Sequence, residues 1–155
     1  DVYKRQEVLQ AHVDEGLKYA RKNRLPKPIA NFIPEHQGTL KMGYFFQKAK
    51  EKNLKINEND FRYKGPVPQS KETAILMLAD GCEAALRAMN INASDNEALE
   101  TISRIIYSRK KDGQLDDSNL SKGEIFLIKR AFLNVWKRIR HRRIQYPTTK
   151  NNTFS

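Results

Sequence analysis

Residues Phe61 to Arg87 read FRYKGPVPQSKETAILMLADGCEAALR and carry the strongest local signal in the chain. The segment opens as a rigid loop with Gly65, Pro66 and Pro68. Ser70 then supplies a helix cap, with Glu72 and Thr73 in the first turn. Ala74 to Ala79 is an unbroken apolar run that covers every face of a helix, which predicts a segment buried on most sides. Asp80 ends the run, so its carboxylate is expected to point into protein rather than water. A buried carboxylate has to be paired, protonated or bound to a cation. Two readings stay open: an internal ion pair, with Arg87 two turns on and itself an i,i+4 neighbour of Glu83, or a metal ligand.

Upstream, Val8, Leu9, Val13, Leu17 and Ala20 recur at three- and four-residue spacing and predict a helix from Glu7 to Asn23, with His12 beside the stripe. Leu25-Pro26 ends it. Pro28 opens a short helix with Ile29, Phe32 and Ile33 on its buried side, leading past Pro34 to Glu35-His36-Gln37-Gly38-Thr39. Gly38 is expected to end or bend that helix. A third helix is predicted from Leu40 to Lys52, and Asn53 to Asp60 reads as a loop or flap.

Downstream, Ser94 with Glu97 has the capping-box spacing and starts a helix carrying Leu99, Ile102, Ile105 and Ile106. Asp112-Gly113 is a turn. Ser121 with Glu124 repeats the capping pattern ahead of a last helix, with Ile125, Ile128, Phe132, Val135, Trp136 and Ile139 on one stripe and Tyr146-Pro147 at its end. Thr148 to Ser155 reads as a disordered tail. With no strand pattern and no internal repeat, the expected fold class is all-α.

The chain has 155 residues, enough for one domain with a real core, and a net charge of +11 that favours anionic partners. Seven basic residues and no acid lie between Lys129 and Arg143, which raises a rival reading: a basic helical module that binds nucleic acid or acidic lipid. The aromatics of that helix fall on its core stripe, so a solvated face is the plainer account and nucleic acid is not the expected partner. Cys82 is the single cysteine, so no intrachain disulfide can form. No apolar run approaches the ~20 residues that span a bilayer.

The chemistry-bearing residues are His12, His36 and Asp80. Imidazole and carboxylate together suit divalent Fe, Mn, Zn or Co. The alternative for each histidine is a satisfied core or capping group, and His141 in the basic run reads as a surface residue. Arg62, Lys64, Lys71 and Arg87 cluster around the Phe61–Arg87 segment and are candidate phosphate ligands, against the alternative of a solvated face.

With those residues placed, the chain resembles the HD-domain phosphohydrolases, above all the seven-transmembrane HD receptors that hydrolyse cyclic di-AMP. The resemblance runs from Ala11 to Pro147, through His12-Val13-x-x-Gly16-Leu17, Ile33-x-Glu35-His36-x-Gly38-Thr39, the Phe61–Arg87 phrase, Gly113-Gln114-Leu115 and Arg143-Ile144-x-Tyr146-Pro147. It implies an all-helical bundle with two divalent metal ions, iron or manganese. These activate a water that attacks phosphorus and releases linear pApA. By the resemblance His12 and His36 are ligands of one metal and Asp80 of the other, with no catalytic group beyond the ligands.

Two departures stand out. Gln37 occupies the place of a second adjacent histidine, offering an amide oxygen as a weak ligand or leaving the place to water; it also hints at a third function, a regulatory domain that binds the nucleotide without cutting it. The chain also contains no His-Asp dipeptide. The expectation is therefore a bundle truncated at its N-terminal side. Residues 7–147 would be the C-terminal portion of an HD domain, behind an unmatched leader, residues 1–6, that is a candidate for foreign sequence. The parent would be anchored in the bacterial membrane with this domain on the cytoplasmic face and its sensor and transmembrane regions as partners. The chain alone is expected to be nearly inactive.

Overall fold

The computed structural model describes residues 2–52 and 55–144 of the chain. Among them are helices α1 (Val2–Lys22), α2 (Lys27–Ala30), α3 (Phe32–Glu35), α4 (Gly43–Glu51), α5 (Lys71–Arg87), α6 (Asp95–Lys111) and α7 (Lys122–Ile144), with one 3-10 turn at Glu58–Phe61. No strand occurs among the described residues, so the all-α expectation holds; one isolated antiparallel bridge joins Lys41 to Arg62. The helix end expected at Tyr146-Pro147 and the tail from residue 148 lie outside the described residues.

Helix α5 is the hub. Its Ala74, Leu78 and Cys82 form one stripe that packs on Ile102 and Ile106 of α6, Leu115 of the following loop and Ile128 of α7. Fully burying side chains such as Leu78 and Ile102 stabilises the fold by about 1.5–3 kcal/mol each. Its start is fixed as the sequence predicts: the Ser70 hydroxyl accepts from the Thr73 N–H. Ser94 and Glu97 complete a reciprocal capping box on α6, and Ser121 with Glu124 repeats it on α7.

Four expectations need correction. The apolar run of α5 is not buried all round: Ile75 and Leu76 are 37% and 41% exposed, because the neighbours of α5 cover only one side. Asp80 is exposed, not buried. The helix predicted from Leu40 begins only at Gly43, since the Met42 N–H donates to the Phe61 carbonyl (2.7 Å) and the Tyr63 N–H to the Leu40 carbonyl (3.1 Å), which draws residues 40–42 into the bridge. The Pro28 helix divides into the single turns α2 and α3, and Ile29 is exposed. In addition α1 starts at Val2, ahead of the expected Glu7, because no glycine or proline interrupts the preceding residues. On α7 the stripe is half used: Ile128 is buried, while Val135 and Ile139 face solvent.

The turn after α3 is the tightest point. Gly38 has φ +52°, and a Cβ there would stand 2.6 Å from Gln114 Oε1 and 2.7 Å from Met77 Cε. Gly38→Ala therefore combines left-handed backbone strain with a steric clash and should lower stability by about 1–3 kcal/mol. Urea unfolding of the two proteins measures this, and an unchanged midpoint would refute the packing described for this turn.

Candidate functional site

Helices α1 and α3 approach closely because residue 16 is glycine: a Cβ at Gly16 would lie 2.8 Å from Ile33 Cγ2. The approach sets His12 of α1 against His36 at the end of α3, with ring centroids 6.2 Å apart and planes at 72°. The Tyr63 ring meets His12 edge-on at 6.0 Å. His36 Nδ1 lies 2.7 Å from the Ile33 carbonyl and 3.0 Å from that of Phe32. A carbonyl can only accept, so the proton sits on Nδ1 and the lone pair on Nε2. The Gln37 amide then donates to Nε2 at 3.1 Å. His12 Nδ1 is likewise bonded to the Leu9 carbonyl. Both rings thus carry the backbone tether typical of metal-ligating histidines.

The chemistry of the residues singled out His12, His36 and Asp80 as cation ligands, and the resemblance put the two histidines on one metal and Asp80 on the other. The structure brings the two imidazoles together, but among the described residues no group of three His, Cys, Asp or Glu side chains is disposed to hold a metal ion. Asp80 acts at longer range: burial, and then the Asp80 charge, push the Tyr63 hydroxyl above its ordinary pKa, so it stays a neutral donor. The donor set fits half of a cation site.

The four candidate phosphate ligands all meet carboxylates. Lys64 pairs with Asp14 at 2.7 Å, Lys71 with Glu124 at 2.6 Å and Arg87 with Glu83 at 3.5 Å. Hydrogen bonding to Lys71 is the first cause holding the Glu124 carboxyl down at about 2. Arg62 is the most constrained. Its guanidinium clasps Asp112 with two bonds of 3.0 Å, reaches Glu58 at 2.9 Å and donates to the Thr39 carbonyl at 2.9 Å. Arg62 therefore braces the site from behind.

Two residues that the sequence reading passed over hold the site in place. The Glu35 carboxylate is 4% exposed and one oxygen accepts from the Thr73 hydroxyl (2.6 Å) and the Gln69 N–H (2.9 Å), joining α3 to the start of α5. Gln114 is fully buried; its carbonyl accepts from the Thr39 N–H, and its amide donates to the Thr39 hydroxyl and to Asp112. A signal for Glu35 was present, an acid beside a proline in an apolar stretch, but its partners lie 34 and 38 residues away.

No protein-family model matches the chain. It is 44% identical over 152 residues to the Synechocystis protein slr0104, across 95% of this chain and 19% of that protein. It is 36% identical over 145 residues to the cyclic-di-AMP phosphodiesterase PgpH of Listeria monocytogenes, across 94% of this chain and 20% of that one. The PgpH of Bacillus subtilis is 36% identical over 140 residues, again with 20% of its length covered. The chain spans about a fifth of the length of the curated relatives it matches. Among solved structures, the L. monocytogenes PgpH HD domain in complex with cyclic-di-AMP superposes with a TM-score of 0.87 at 34% identity, covering 94% of this chain and 68% of that one. A second structure of that HD domain gives 0.82 at 32% identity, with 90% and 65% covered.

The Asp112 carboxyl is held below its ordinary 3.8, first by the hydrogen bonds from Arg62. A depressed carboxyl contributes stability that is present above its unfolded value and lost as the pH falls through its folded one. Asp112→Asn should therefore weaken the fold at neutral pH and flatten the loss of stability as the pH falls from about 5 to well below 3.8. Urea midpoints across that range check it; parallel profiles for the two proteins would dismiss the brace.

Proposed function

Because the chain belongs to the HD-domain family of the PgpH cyclic-di-AMP phosphodiesterases, we propose that it serves in metal-dependent hydrolysis of cyclic di-AMP to pApA. The observation that carries this reading is the His12–His36 pair: two neighbouring rings, each tethered through Nδ1 to a backbone carbonyl, with the Nε2 of His36 held by the Gln37 amide alone among the described residues. Asp80 is proposed as a ligand of a second cation and Gln37 as a weak one beside His36. When bound, the cations, iron or manganese, polarise the phosphoryl group and supply hydroxide at neutral pH.

The chain's own residues do the rest. Gln37 holds the Nε2 lone pair of His36 in a hydrogen bond until a ligand takes it. Tyr63 packs its ring edge-on against His12 and keeps its hydroxyl neutral. Arg62, through Asp112 and Thr39, fixes the loop after His36. We further propose that residues 7–147 form the C-terminal portion of the HD domain in a membrane-anchored parent, with the domain on the cytoplasmic face. Among the described residues no helix is long and apolar enough to cross a membrane.

The basic-helix reading has less support, since several cations of α7 already have partners: Arg140 stacks on Trp136 at 5.1 Å, Arg130 on Phe126 at 5.8 Å, and Lys137 pairs with Asp95 at 2.8 Å. The decisive experiment follows cyclic di-AMP binding and pApA release by the purified chain with Mn²⁺ or Fe²⁺. The expected outcome is binding with little release. His12→Ala and His36→Ala should each weaken Mn²⁺ binding by about tenfold or more while leaving the helical spectrum intact. No dinucleotide binding, with or without metal, would reject the reading; rapid pApA release would reject the inactivity of the chain alone.

A further inference from the structure

A cleft of about 830 Å³ opens between α4 and α6, beside Gln37 and Tyr63. Five cations line it, Lys41, Arg62, Arg104, Arg109 and Lys111, against two carboxylates, Glu58 and Asp112. Both carboxylates are already engaged by Arg62, and Glu58 also by Lys41 at 3.6 Å. The cleft therefore keeps an excess of positive charge on its α6 wall.

Arg109 differs from the other cations. It is half-buried, its Nε is buried without an acceptor, and among the described residues no carboxylate pairs with it. Its guanidinium lies along the backbone of α5 at Gly81: a Cβ on that glycine would stand 3.2 Å from Arg109 Nη2 and 3.2 Å from Ile105 Cγ2. Loss of water pushes its pKa down, while the charges of Asp112 and Asp80 act in the opposite sense from a distance. A desolvated guanidinium without a counter-charge is costly in a folded protein. An anion arriving in the cleft relieves that cost, and the planar fork suits two phosphate oxygens.

We propose that Arg109, seated against Gly81, binds a phosphate group in the cleft between α4 and α6, and that for the substrate this is a phosphodiester of the cyclic dinucleotide. The second clause rests on the phosphodiesterase reading; the anion site does not. Arg62, Lys64, Lys71 and Arg87 each meet a carboxylate, whereas Arg109 meets none among the described residues.

The test uses inorganic phosphate and cyclic di-AMP as separate probes on the purified chain. In the wild-type protein the Arg109 Nε–H resonance should shift on adding either probe. Arg109→Gln should weaken binding of both by about tenfold, and Arg109→Lys, which keeps the charge but not the fork, by less. Arg21→Gln, at the far end of α1, serves as the control. A response to phosphate but not to the dinucleotide would keep the anion site and overturn the substrate assignment. If Arg109→Gln fails to fold, the resonance and the lysine variant still decide. A resonance that neither probe moves, with Arg109→Lys binding as tightly as wild type, would overturn the proposal.

Discussion

One carboxylate oxygen of Glu35 joins two parts of the chain that have no covalent reason to meet. It accepts from the Thr73 hydroxyl inside α5 and from the Gln69 N–H just before it. The helix start offers unsatisfied N–H groups and the positive end of the dipole, so a buried acid is tolerated there. Because Glu35 immediately precedes His36, the same bond that anchors α3 to the hub helix also sets where the imidazole stands. Stripping one partner from such a buried group costs on the order of 1–3 kcal/mol. Its effect on geometry would reach further than its energy, since His36 would lose its fixed position against His12.

A second polar network works in parallel on the other side of Gly38. Thr39, Gln114, Asp112 and Arg62 satisfy one another through bonds of 2.9 to 3.0 Å. The two networks share the Glu35–Thr39 turn and hold it from both ends. Arg62 and Arg109 both face the cleft, yet they have different tasks. Arg62 is fully committed to its acids and behaves as part of the frame. Arg109 has no acid to hold among the described residues, and its guanidinium lies against Gly81.

The helical architecture was legible because helices announce themselves locally. Ser70, Ser94-Glu97 and Ser121-Glu124 all cap as their spacing predicts. The pairing of His12 with His36 was legible from their shared ligand chemistry and from the family resemblance, but the contact itself was not, since the close approach depends on Gly16 meeting Ile33. Asp80 misled because a continuous apolar run predicts burial only if neighbours cover every side, and those of α5 do not. The bridge between Lys41 and Arg62 is set by partners about twenty residues apart, beyond any periodicity. Arg109 was hidden in Arg109-Lys110-Lys111, a basic helix end that ordinarily just complements the dipole.

Cys82 sits on the core stripe of α5, shut away from solvent, and burial pushes its thiol up to about 11. A thiol kept protonated and enclosed is a poor nucleophile. Alkylating reagents at neutral pH should find it only when the α5–α6–α7 core opens. As the chain has a single cysteine, the rate of its labelling becomes an intrinsic clock for the opening of that core, read without mutation or added fluorophore.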